Sequence, residues 1–232
     1  MPKISASSNV AQRAETQRRI LTAFGELLFT HGLPGLTMTD VARHAGVGRT
    51  AVYNYYADME QLLISYALDE TEKFITELRA DLNAVANPVG KLAVYIRAQV
   101  EDLTRRHLPP GPAMGAVLSP GSFAKLADHV SDLNLLLQEI LQDGIDQGFL
   151  PESDVTATAQ LIHGTLASSA SRGKASEPGS PDLERHIEST VRFIQHGAGA
   201  MFDAEGNPMV IAAPDAVAEK PAAEKAVVES AA

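Results

Sequence analysis

The residues best placed to do chemistry lie between Arg49 and Tyr56, and the chemistry they fit is recognition rather than bond-making. Read as a short helix, this segment puts Val52 and Tyr56 four apart on one face, where they can anchor it to a core. Arg49, Thr50, Asn54 and Tyr55 remain free to face a ligand, and their donors and acceptors suit base edges and phosphates. Bond-making has little to work with. There is no HExxH, no GxSxG and no phosphate-cradling glycine loop, and the acidic pairs Glu101-Asp102 and Asp69-Glu70 are neighbours that point to different sides of a helix. Cys is 0, which removes a thiol nucleophile, a cysteine zinc site and any disulfide. The chain is therefore expected not to be an enzyme, with no catalytic residues, no metal and no cofactor.

The elements that must position this segment are also legible. From about Arg13 the pattern turns helical, with Ile20, Phe24, Leu27 and Leu28 in one apolar stripe and Gly32 as a left-handed cap. The chain restarts at Thr37-Met38-Thr39-Asp40, where Thr37 can accept from the first free N–H groups and Asp40 suits the helix dipole. Val41, Ala42 and Ala45 bury one side of that helix; Gly46 breaks it where a positive φ costs least, and Val47 returns to the core. A second short helix follows from about Arg49 to Tyr55. Two short helices joined through Ala45-Gly46-Val47 after a longer one make a helix-turn-helix, whose second helix suits a major groove about 12 Å wide.

Net charge is −10 over the 232 residues, which at first opposes a polyanionic partner. Its distribution does not. Residues 1–57 hold Lys3, Arg13, Arg18, Arg19, Arg43 and Arg49 against Glu15, Glu26 and Asp40, a local +3 that leaves −13 on the remainder. Screening over about 8 Å at physiological salt lets a phosphate at the N-terminal face feel mainly the local charge. Beyond Asp58 no strand-like alternation is sustained, and Pro and Gly separate helices expected at about 58–86, 89–107, 112–118, 122–147, 153–172 and 181–201, so the fold class is all-α. Residues 1–11 read as a flexible arm, 12–57 as the helix-turn-helix domain, 58–202 as a second helical domain, and 203–232, rich in Ala and Pro, as a disordered tail. No apolar run reaches the roughly 18–20 residues of a membrane span, and no secretion signal is visible, so the expected compartment is the cytoplasm with no membrane partner.

Residues 15–63 resemble the DNA-binding domain of the tetracycline-repressor (TetR) family of bacterial transcription regulators. The markers are Ile20 with Ala23 and Phe24, His31-Gly32, Thr37 to Ala42, Ala45-Gly46-Val47, the Val52-Tyr53 to Tyr55-Tyr56 helix, and Glu60 to Leu63. The resemblance implies that Thr37, Tyr53 and Tyr55 touch backbone phosphates, that Arg49, Thr50, Ala51 and Asn54 face bases, and that Thr39 lies at the groove edge. The residue types agree: Arg49 can grip guanine bidentately, Asn54 can do so for adenine, and Ala51 can meet a thymine methyl. Two departures weaken expected phosphate contacts. Gly48 stands where the family commonly has a small hydroxyl residue, and Met59 where it commonly has a lysine.

The resemblance implies an effector-binding and dimerisation domain in the remainder. Apolar stripes over 89–107, 122–147 and 153–172 carry polar intruders, so Tyr95, Gln99, His129 and His163 are the expected ligand-orienting residues. Apolar faces on the last two helices, with Ile162, Leu166, Ser169, Ile187, Val191 and Ile194, are expected to form a homodimer interface as a four-helix bundle. The resulting reading is a homodimeric repressor released from a palindromic, double-stranded DNA operator by an unknown, mainly apolar small-molecule effector. The alternative within this architecture is a DNA-binding protein that organises another protein, as cell-division inhibitors do.

Overall fold

The computed structural model describes residues 6–105, 118–173 and 179–211. Among these are eight helices: α1 (Ala6–His31), α2 (Met38–His44), α3 (Arg49–Tyr55), α4 (Met59–Asn83), α5 (Pro88–Arg105), α6 (Pro120–Asp146), α7 (Val155–Gly173) and α8 (Pro181–Gly197). Apart from an isolated bridge between Phe202 and Pro208, no strand pairing interrupts them, and the all-α expectation holds. None of the described helices is long and apolar enough to cross a membrane.

Local chemistry explains the boundaries. Thr37 caps α2 reciprocally: its hydroxyl oxygen accepts the Asp40 N–H at 3.2 Å while the Asp40 carboxylate accepts the Thr37 N–H at 3.2 Å. Asp58 caps α4 by accepting the Gln61 N–H at 2.8 Å. Ser119 and Ser180 cap α6 and α8, each followed by a proline whose missing N–H costs nothing there.

Two expectations change. The arm expected over 1–11 is helical from Ala6, because no Pro or Gly separates it from Arg13; residues 1–5 lie outside the described residues. The tail expected to be disordered from 203 instead begins as a folded turn. The Asp203 carboxylate accepts from the Asn207 backbone at 2.7 Å and its Nδ2 at 3.0 Å, and the Ile211 N–H reaches the Gly148 carbonyl at 2.8 Å. The rest of that tail lies outside the described residues, as does nearly all of the helix expected at 112–118.

Two apolar cores organise the helices. The N-terminal core joins α1 (Ile20, Phe24, Leu28), α2 (Met38, Val41, Ala42), α3 (Val52) and the start of α4 (Leu62, Leu63, Ile64). The larger core joins the far part of α4 (Phe74, Leu78, Leu82) to α5, α6, α7 and α8. Thus α4 belongs to both cores, and the boundary expected at 57/58 has no counterpart in the packing. So does α6, since Leu126 packs on the N-terminal core and Leu133, Leu137 and Ile140 on the larger one.

The turn between α2 and α3 is pinned from outside. Gly46 has φ of +63°, and a Cβ built there would stand 3.0 Å from Arg19 Nη2. That guanidinium donates to the carbonyls of Ala45 at 2.6 Å and Gly46 at 3.1 Å, satisfying the free acceptors at the end of α2. Gly46→Ala is expected to destabilise the chain by about 1–2 kcal/mol, because a side chain is strained at this φ and crowds the arginine. Urea denaturation of the variant against wild type checks this, and an unchanged midpoint would refute it.

Candidate functional site

α3 presents two unlike sides. Val52 is fully buried and Tyr56 is 3 % exposed, so both anchor the helix as its spacing requires. Of the residues expected to meet DNA, Thr37, Thr39, Arg49, Thr50, Tyr53 and Asn54 are exposed, and Ala51 and Tyr55 are half-buried. The Arg49 guanidinium lies over the Tyr53 ring, 5.5 Å from its centroid, and Arg13 of α1 lies over Tyr55 at 5.4 Å. Each stack restrains a long cation beside a phenol without consuming its N–H donors. Arg13 is absent from the sequence-based set, because no spacing rule connects position 13 to position 55.

Two details qualify the expected phosphate contacts. The Thr37 hydroxyl donates to the Asp40 carboxylate at 2.5 Å, so its proton is already engaged. That bond, together with the Thr37 backbone and Arg43, holds the Asp40 carboxyl below the ordinary carboxylate range. Gly48 caps α3 with no side-chain bond, and Met59 is half-buried against the N-terminal core rather than standing free at the start of α4.

In the larger core, three of the four expected ligand-orienting residues meet. Tyr95 is fully buried, its hydroxyl 3.1 Å from both the Leu133 carbonyl and His163 Nε2, and Gln99 Nε2 donates to the same hydroxyl at 3.3 Å. The Leu133 carbonyl can only accept, so the Tyr95 proton goes to it and His163 donates to the Tyr95 oxygen through Nε2. These groups satisfy one another. Burial pushes the Tyr95 phenol up and the His163 imidazole down, so both are neutral at pH 7. The His129 side chain lies outside the described residues.

The expected dimer-interface residues pack within the chain. Ile162, Leu166, Ser169, Ile187 and Ile194 are buried within the chain itself, and Val191 packs against the same core. Ser169 bonds the Thr190 hydroxyl and His186, each at 2.8 Å. These stripes close the larger core because each helix has one wide apolar face and the monomer consumes it. The outward sides of α7 and α8 instead expose Leu161 at 74 % and Phe193 at 67 %, flanking a groove lined by Gly164, Thr165, Ser168 and Ser189. The sequence signal for this face was the small-residue run after Gly164 with Leu161 and Phe193 lying off the main stripes.

A helix-turn-helix anchored on one side, polar on the other and carried by a larger helical domain defines a DNA-binding transcription regulator. Residues 20–66 match the family described as bacterial regulatory proteins, tetR family. Over 162 residues the chain is 27 % identical to the fatty acid metabolism regulator protein of Bacillus subtilis, covering 67 % of this chain and 81 % of that protein. It is 34 % identical over 74 residues to the transcriptional regulator AlkX of Mycobacterium tuberculosis, spanning 32 % of this chain and 35 % of AlkX. Its fold is similar to that of the regulator FadR from Bacillus subtilis in complex with stearoyl-CoA, with a TM-score of 0.66, 24 % identity, and coverage of 78 % of this chain and 98 % of that one. Residues 20–66 thus carry the DNA-binding domain of the TetR family of bacterial transcription regulators, and the relatives that extend beyond it are transcription regulators rather than enzymes.

The pH response of the buried network has a definite sign. His163 has a folded pKa below its ordinary 6.5, so the unfolded chain binds that proton more readily. Its contribution to stability is full above about pH 6.5 and is lost as pH falls through the folded pKa. Urea titrations at about pH 7 and about pH 5 should show His163→Gln losing less stability than wild type between the two. An equal loss in both proteins would show that His163 does not titrate as its burial requires.

Proposed function

We propose that this regulator is a homodimeric repressor that occupies a palindromic operator through Arg49, Thr50, Ala51 and Asn54 at base edges, with Tyr53, Tyr55 and Thr37 along the backbone and Thr39 at the groove edge, and leaves it when an acyl-chain effector enters the α5–α6–α7 core. The observation that carries the reading is the two-sided α3, buried through Val52 and Tyr56 while Arg49, Thr50 and Asn54 stay exposed. Occupying an operator excludes other proteins from it, which is sufficient for repression.

An apolar effector is favoured by the chemistry around Tyr95, Gln99 and His163, which offer hydrogen bonds but no charge. The similarity to a regulator of fatty acid metabolism and to a fold solved with stearoyl-CoA supports a long acyl chain. Arg97 faces away from that core, paired with Glu184 at 2.6 Å and Glu101 at 3.8 Å, so an anionic headgroup would stay at the surface. The exposed groove of α7 and α8 with Leu161 and Phe193 suits an isologous contact with a second copy, its small residues allowing close approach of the helices.

Genome-wide selection of bound DNA, followed by titration on the selected sequence, tests the reading. Arg49→Ala and Asn54→Ala should each lower specific affinity by about 1–3 kcal/mol and relax base preference locally, whereas Tyr53→Phe should weaken specific and non-specific DNA alike. Unchanged sequence preference in Arg49→Ala would remove α3 from the groove. Separately, Leu161→Asp combined with Phe193→Asp should give a monomer by sedimentation and lose the full palindrome. A monomeric variant with unchanged palindrome affinity would refute the dimer.

A further inference from the structure

Resting on that DNA-binding reading, we infer that Glu60 is a positioning residue that locks the first turn of α4, immediately after the recognition helix, to the N-terminus of α6, so that α6 links the Tyr95 network to the DNA-binding face. Glu60 Oε1 accepts the backbone N–H of Ser119, the cap of α6, at 2.8 Å. A carboxylate there is favoured by the unpaired amides and the dipole of a long helix. The hydrogen bonds from Ser119 and Ser122 hold the Glu60 carboxyl below its ordinary range, so it stays ionised in this contact. The contact is also apolar: Leu118, just before the cap, is 6 % exposed and buried in the N-terminal core, where Leu126 of α6 packs as well.

The other end of the link is equally defined. On α6, Leu133 is buried in the larger core, and its carbonyl accepts from the Tyr95 hydroxyl in addition to its place in the helix. Ser119 and Leu133 are separated by roughly 20 Å of continuous helix at 1.5 Å per residue. A helix transmits an axial or rotational shift over that length with little loss, because bending it disturbs its hydrogen bonds. Displacement of the Tyr95 hydroxyl from Leu133 therefore bears on Glu60, which lies a few residues beyond Val52 and Tyr56. Here α6 is one body with a polar handle at each end, exposed at Ser119 and buried at Leu133, and α4 is the second connection between the cores.

A double-mutant cycle on the full chain tests this without knowing the effector. Tyr95→Phe deletes the donor to Leu133, and Glu60→Ala deletes the acceptor of Ser119. Tyr95→Phe should change operator affinity by about threefold to tenfold in the wild-type background and by less than about twofold in Glu60→Ala, while Glu60→Gln, which keeps an acceptor, should preserve the larger effect. Ser119→Pro removes the same N–H from the other side, since Ser119 already has a φ of −61° suited to proline; measured against Ser119→Ala, which loses only the hydroxyl cap, it should match Glu60→Ala if the latter folds poorly. Equal effects of Tyr95→Phe in both backgrounds, or no effect in either, would overturn the inference. A wild-type chain that selects no operator would overturn the DNA-binding reading and this inference with it, whereas additivity in a chain that binds DNA overturns this inference alone.

Discussion

A seven-residue helix cannot hold itself in water: nucleation fixes several residues for one hydrogen bond, and isolated helices below about 12–15 residues are marginal. Both α2 and α3 are this short, so the direction of Arg49 and Asn54 depends on what the buried sides of these helices grip. Val52 and Tyr56 supply the grip from α3, and Val41 and Ala42 from α2. Arg19 supplies what the apolar contacts lack, a directional bond from α1 to the carbonyls of the turn. His44 adds a second tie to α1 through Glu26 at 2.7 Å. The recognition surface is thus as rigid as the three-helix core beneath it.

The larger core solves a different problem. Tyr95, Gln99 and His163 place polar atoms in an apolar bundle, where each unpaired group would cost on the order of 1–3 kcal/mol. They avoid that cost by bonding one another and Leu133. The network therefore satisfies its own polar groups without help from outside the bundle. The connection to the DNA-binding face is short in physical terms because α4 and α6 each contribute side chains to both cores.

The last two helices show how one element serves two surfaces. Their wide apolar stripes face inward, where Ile187 and Ile194 of α8 complete the core with Ile162 and Leu166 of α7. What they leave outside is narrower and built from small residues with two large apolar groups, Leu161 and Phe193. A face of that kind lets another helix approach closely, since only Leu161 and Phe193 stand out from its small residues.

Most of the N-terminal domain was legible in the sequence, since its signals are local. The Ile20, Phe24, Leu27 and Leu28 stripe, the Thr37–Asp40 cap, the Gly46 turn and the Val52–Tyr56 spacing each specify a conformation within a few residues, and all appear in the fold. The helical class and most later boundaries were set the same way, by Pro, Gly and apolar period. Tertiary structure alone decided which side of each late helix is inward, because a stripe says that a face is buried but not whether its own chain or a second copy buries it; hence Ile162 and Ile187 lie in the core and Leu161 and Phe193 outside. It alone decided that Tyr95, Gln99 and His163 meet, that Arg13 stacks on Tyr55, and that Glu60 accepts the Ser119 N–H at the start of α6. Those contacts join residues far apart in the chain, and no local period encodes a distance that only the packing of whole helices creates.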